Sequence, residues 1–168
     1  MVMWPQVSID FKKDATMCFA CGKDNPIGLK LNFEWDGNTA KAEFTPSRLH
    51  QGWSEVVHGG ILCCLLDEAM TYAPYFEGIH CVTAKMEVRI RQPVPIDKPI
   101  VIASIITKKT RRLVETKATI LSKDGNLMAD GTAIMFVLDT RQENMTRKRK
   151  PASDVPSNRR RVEKRPRR

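Results

Sequence analysis

Apolar and polar residues alternate through Leu29, Leu31, Phe33 and Trp35, and again through Ala40, Ala42 and Phe44. A period of two belongs to a half-buried strand. Asp36-Gly37-Asn38 between the two runs supplies turn chemistry, so residues 29–44 are predicted to form a hairpin and residues 47–57, after Pro46, a loop. The pattern then changes. HGGILCCLLDEAMTYA, residues 58–73, is apolar around almost its whole circumference, and about 15 residues is too long for a core strand, so it reads as a buried helix that stops at Pro74. Beyond it, Val82, Ala84, Met86, Val88 and Ile90 alternate with Thr83, Lys85, Glu87, Arg89 and Arg91. Residues 100–107 form an apolar run, residues 113–121 alternate again, and Lys123-Asp124-Gly125-Asn126 turns the chain into residues 127–138. The order is ββαββββ. A helix without a polar face must be enclosed, so an α+β domain with an antiparallel six-stranded sheet wrapped around one long helix is predicted.

Charge adds a second region. The 168 residues carry a formal +9, but residues 147–168 hold eleven Lys and Arg against Asp154 and Glu163, so the first 146 residues are formally neutral. The basic stretch has three aliphatic residues and no aromatic, too little to offset the entropy of ordering, and is expected to be disordered, either as a solubilising tail or as a polyanion contact or nuclear-import signal. The expected division is an N-terminal segment 1–16, a domain 17–140 and a basic tail 141–168. No apolar run spans a bilayer, and residues 1–14 do not read as a secretory signal, so a cytoplasmic protein is expected.

Five cysteines, an odd number, argue against a disulfide framework. Cys18 and Cys21 form a CxxC pair, but a structural zinc needs four ligands and no second pair exists, so no metal is expected. Cys63 and Cys64 are expected as small core residues.

Asp67, followed by Glu68, interrupts the apolar helix. Burying a carboxylate costs several kcal/mol unless it is partnered, so it is either a structural group, paired or at the open edge of the helix, or a general base or nucleophile for acyl transfer. At the other end, His58-Gly59-Gly60 offers close backbone approach and free N–H groups at the positive pole of the helix, suited to an oxyanion. Gly60 and Asp67 are about 10 Å apart along one helix. One carbonyl cannot touch both, so if both act they come from different subunits of a two-fold dimer.

These residues carry a resemblance. HQGWSEVVHGGILCCLLDEAM, residues 50–70, resembles the active-site segment of hotdog-fold acyl-CoA thioesterases, in the branch related to phenylacetyl-CoA and 4-hydroxybenzoyl-CoA thioesterases; CFACGKDNPIGLKLNF, residues 18–33, and VTAKMEVRIRQPVP, residues 82–95, are similar to its flanking strands. The resemblance implies the hotdog fold, a curved sheet around the helix, and a homodimer or homotetramer with sites between subunits. It implies Asp67 as general base or nucleophile, the Gly60 N–H as oxyanion donor, His58 as a positioning group and Thr83 as a water-orienting group. It implies a coenzyme A thioester as substrate, with no cofactor. Gly59, Gly52, Trp53, Glu68 and Arg91 are the expected substrate-binding positions. Lys98, Lys108, Lys109, Arg111 and Arg112 are further candidates for the coenzyme A phosphates. One departure stands out: many relatives carry Asn or Gln where this chain has Gly52, beside Gln51. His50 is expected to hydrogen-bond within its loop, His80 to lie in an exposed turn, and Asp24-Asn25-Pro26 matches only a fragment of a hydratase signature that lacks its histidine. The alternative function is a non-catalytic acyl-CoA binding or sensing protein.

Overall fold

The computed structural model describes residues 15–138. The expected basic tail and all but the last two residues of the N-terminal segment lie outside the described residues. Strands β1 (Glu34–Trp35), β2 (Thr39–Phe44), β3 (Gln51–Trp53) and β4 (Val56–Val57) precede helix α1 (Gly59–Phe76), and β5 (Cys81–Ile90), β6 (Ile100–Lys109), β7 (Leu113–Ser122) and β8 (Leu127–Val137) follow it. Six strands form one antiparallel sheet in the order β1-β2-β6-β7-β8-β5, while β3 and β4 pair separately inside the predicted loop 47–57. The chain therefore leaves the sheet after β2, runs through α1 and re-enters at the opposite edge as β5.

Leu62, Leu65, Leu66, Ala69, Met70 and Ala73 of α1 are buried against Ala40, Ala42, Ile102, Ala118, Ile120 and Ala133 of the sheet. Small residues on the strands let the helix sit close. Gly131 belongs to this packing: a Cβ there would lie 3.1 Å from the Glu87 carbonyl oxygen and 3.6 Å from Leu66 Cδ1.

The predicted hairpin is shorter than its pattern. Leu29, Leu31 and Phe33 are buried in alternation as expected, but the Leu29 and Leu31 N–H groups donate to the Phe19 and Ala20 carbonyls, not to a neighbouring strand, so only Glu34 and Trp35 pair with β2. The helix is longer than expected and carries Pro74 in its last turn. Aromatic packing rewards the extra turn: Tyr72 stacks on Phe33 at 4.5 Å and Phe76 on Trp35 at 5.5 Å between ring centroids. Cys63 and Cys64 are half-buried, not core. No helix among the described residues is long and apolar enough to cross a membrane.

Candidate active site

The helix start is built around His58. It is the N-cap of α1, with extended backbone, and its Nδ1 accepts a hydrogen bond from the Gly60 N–H at 2.9 Å. An imidazole nitrogen that accepts carries no proton, so the neutral ring holds its proton on Nε2 and presents a donor there. The His58 N–H in turn donates to the His50 carbonyl at 2.8 Å. His50 is held as expected within its own loop, where its Nδ1 accepts from the Ser47 N–H at 2.9 Å and its ring tilts against Phe44; burial pushes its pKa down. His80 is half-buried, not exposed, with its ring 5.8 Å from Tyr75.

This arrangement distinguishes the two glycine N–H groups at the helix start. The Gly60 N–H is committed to His58 Nδ1, whereas no acceptor faces the Gly59 N–H among the described residues. Position 52 also has a physical explanation. A Cβ on Gly52 would lie 3.0 Å from His58 Cδ2 and 3.1 Å from its Cα, so the space that an Asn or Gln would need is filled by the cap.

Asp67 lies two turns further along α1, half-buried, and its Oδ1 accepts a hydrogen bond from the Thr83 hydroxyl at 2.8 Å. No Lys or Arg pairs with Asp67 among the described residues. Simple alternation puts Thr83 on the polar face with Lys85 and Glu87; the structure overturns this. Thr83 pairs with Met135 and Lys85 with Ile134, so Ala84 is an extra residue in a β-bulge that inverts the facing of the strand. Cys81 and Thr83 therefore face the helix before the bulge, and Met86 and Val88 face it after.

The remaining expected site residues do not converge on Asp67. Glu68 turns about 100° away around the helix and meets the segment before β1, with Cys18 Sγ 3.8 Å from its Oε1. Burial pushes its carboxyl pKa up, an effect that neighbouring Asp67 reinforces. Arg91 forms an ion pair with Asp130, its Nε 2.6 Å from Oδ1. It follows Ile90, whose Cδ1 lies 3.2 Å from where a Cβ of Gly59 would be, so Arg91 sits at the helix-start end of β5. Trp53 is 85% exposed on β3, close to Leu49 in sequence, itself 93% exposed. Lys108 pairs with Glu115 and Lys109 with Glu77. A cleft of about 300 Å³ lies elsewhere, lined by Lys85, Glu87, Glu115, Thr132 and Ile134.

The thiols near Asp67 are poor nucleophiles. Burial pushes Cys64 and Cys81 each up to about 11, and the Asp67 charge adds to both shifts. What the site offers is a hydroxyl-oriented carboxylate at one end of β5 and an open helix N-terminus with a histidine donor at the other.

Residues 55–129 match the sequence model of the thioesterase superfamily. The chain is 29% identical over 140 residues to the acyl-coenzyme A thioesterase THEM4 of Rattus norvegicus, covering 79% of this chain and 60% of that protein's length. The crystal structure of RHA08564, a thioesterase superfamily protein, superposes with a TM-score of 0.67 at 22% identity, over 70% of this chain and 61% of the other. A Streptococcus pneumoniae thioesterase protein, solved with coenzyme A, superposes with a TM-score of 0.61 at 18% identity, over 64% of this chain and 87% of the other. The same protein was also solved with an Asp, and separately with a Thr sixteen positions later, replaced by alanine. The antiparallel sheet around one long helix is the hotdog fold, shared with these thioesterase structures, and residues 55–129 are the part of the chain that matches the thioesterase superfamily model.

Proposed function

We propose that the protein hydrolyses acyl-CoA thioesters to a carboxylic acid and coenzyme A, with Asp67 as general base. The Asp67–Thr83 contact carries this reading. A carboxylate paired with a cation is a weakened base, whereas a single hydroxyl orients one oxygen and leaves the other to accept from water. The water oxygen bonds to the thioester carbon as its proton passes to Asp67. The carbonyl oxygen gains the negative charge, and collapse of the tetrahedral species breaks the C–S bond and releases the thiolate. The Gly59 N–H, at the positive end of α1, is suited to hold that oxyanion, with His58 Nε2 as a further donor to the thioester or the coenzyme A arm. The relatives support the substrate class: the rat protein is named an acyl-coenzyme A thioesterase, and the Streptococcus structure holds coenzyme A. The Asp and the Thr replaced by alanine in the two variant structures are sixteen residues apart, as are Asp67 and Thr83. The thioester is the substrate and no cofactor is needed for these steps.

The two halves of the site lie at opposite ends of β5, which is an edge strand with one side unpaired among the described residues. Thr83 meets Asp67 near its start, and Ile90 meets Gly59 at its end. Antiparallel pairing of β5 with its copy, about a two-fold axis near Met86 and Glu87, brings the Asp67 end of one protomer to the Gly59 end of the other. A homodimer of this kind unites groups that one protomer holds apart.

The test is thiol release from short, medium, long and aromatic acyl-CoAs. Native protein is expected to turn over at least one, and Asp67→Asn to lose a hundredfold or more, roughly the contribution of a general base, with its dimer intact. A fully active Asp67→Asn rules the mechanism out. The closed position 52 favours the second reading, a binding protein, which predicts tight acyl-CoA binding with no thiol released from any member of the panel.

A further inference from the structure

We propose that Cys18, Cys21 and Glu68 form a zinc site that pins the segment ahead of β1 to the middle of α1. The two sulfurs and a Glu68 carboxylate oxygen all lie within 4.8 Å of one another, and all three residues are half-buried. Zinc bonds of about 2.3 Å to sulfur and 2.0 Å to oxygen in a tetrahedron place ligand atoms roughly 3.5–3.8 Å apart. The Cys18–Glu68 distance of 3.8 Å is within about 0.3 Å of this, and the others need a closure of about 1.3 Å or less. The expectation of no metal rested on counting cysteines and histidines; Glu68 supplies a third ligand from far along the chain.

The turn that presents the two cysteines is built tightly. The Gly22 N–H donates to the Cys18 carbonyl at 2.9 Å, and a Cβ on Gly22 would fall 2.4 to 2.6 Å from backbone atoms of Cys18 and Thr16, so only glycine closes it. Lys30 Nζ donates to the carbonyls of Gly22 and Lys23, at 3.0 and 2.7 Å, and to that of Asn25. The carbonyls of Phe19 and Ala20, between the cysteines, accept from Leu29 and Leu31. Both sulfurs are thereby held toward the helix. Two sulfur ligands select zinc over magnesium or calcium. Two Zn–S bonds form, the two thiol protons leave to solvent, and water completes the coordination.

The full-length protein, reduced and stripped by chelator, is titrated with Co²⁺ and then with Zn²⁺. One equivalent per chain is expected, with a near-ultraviolet thiolate-to-cobalt band that zinc abolishes and a higher melting temperature in zinc. Cys18→Ser and Cys21→Ser are expected to remove the band. Glu68→Gln is expected to weaken binding roughly tenfold, with native circular dichroism in all three. Substoichiometric cobalt, absence of the thiolate band, or Glu68→Gln binding as tightly as the native chain overturns the site. None of these readouts depends on thioester hydrolysis, so the proposal stands or falls apart from the proposed activity.

Discussion

Asp67 and Glu68 are neighbours in sequence, and one step around α1 sends them to different surroundings. Asp67 accepts a single hydroxyl from β5; Glu68 faces two thiols and has a raised pKa. The interruption of an apolar helix by a carboxylate was legible as chemistry, because burial makes such a residue expensive without a reason. Which backbone amide is open was not legible, since it depends on the rotamer of His58, whose Nδ1 takes the Gly60 N–H. Gly59→Pro isolates the point. Gly59 is the first residue of α1, a position where proline is well tolerated, and His58 before it already has the extended backbone (φ −61°, ψ 134°) that a following proline requires. The substitution removes one N–H, and its Cβ meets Ile90 Cδ1 at 3.2 Å, the far end of a flexible side chain that can shift by a few tenths of an ångström. Turnover in the thiol-release assay is expected to fall by about 10²–10³, the usual loss of an oxyanion donor, with the melting temperature nearly unchanged. Native turnover in Gly59→Pro would return the oxyanion to Gly60.

At the scale of elements, helix, strands and their order could be read because apolar periodicity reports burial directly. Where the pattern misled, a local feature had altered the count. In β5 the bulge at Ala84 places Thr83 and Met86, three positions apart, on one face. At residues 29–33 the alternation is genuine, but its hydrogen bonds go to the cysteine turn. At Pro74 aromatic stacking with β1 carries the helix past a residue that usually ends one. The bulge makes an unusual prediction. Thr83 and Lys85 pair with the consecutive residues Met135 and Ile134, so deletion of Ala84 leaves a regular ladder with Thr83 still facing Asp67. A one-residue deletion inside a strand normally turns half of it inside out. Here the shortened protein is expected to fold with a loss of about 1–2 kcal/mol, measured by urea denaturation, and to keep measurable turnover. An unfolded deletion variant would mean that the bulge itself is needed to shape the strand.

The whole molecule is where one chain's sequence carries least, since a shared site is a property of two surfaces. The residues nevertheless contain its logic: a strand at the sheet edge among the described residues, with a carboxylate at one end and a helix N-terminus at the other, and exposed Leu49 and Trp53 flanking the cap. Subunit complementation tests that division most directly. Asp67→Asn and Gly59→Pro damage opposite halves of the proposed site, so a mixed dimer has one doubly damaged site and one intact site. The two inactive proteins are mixed in equal amounts, unfolded and refolded together, and thiol release is measured on an acyl-CoA that the native protein cleaves. Random reassortment makes half the dimers mixed, and recovery of about a quarter of native turnover is expected. A mixture no more active than either variant alone, with mixed dimers confirmed by mass spectrometry, would contradict a site shared between protomers.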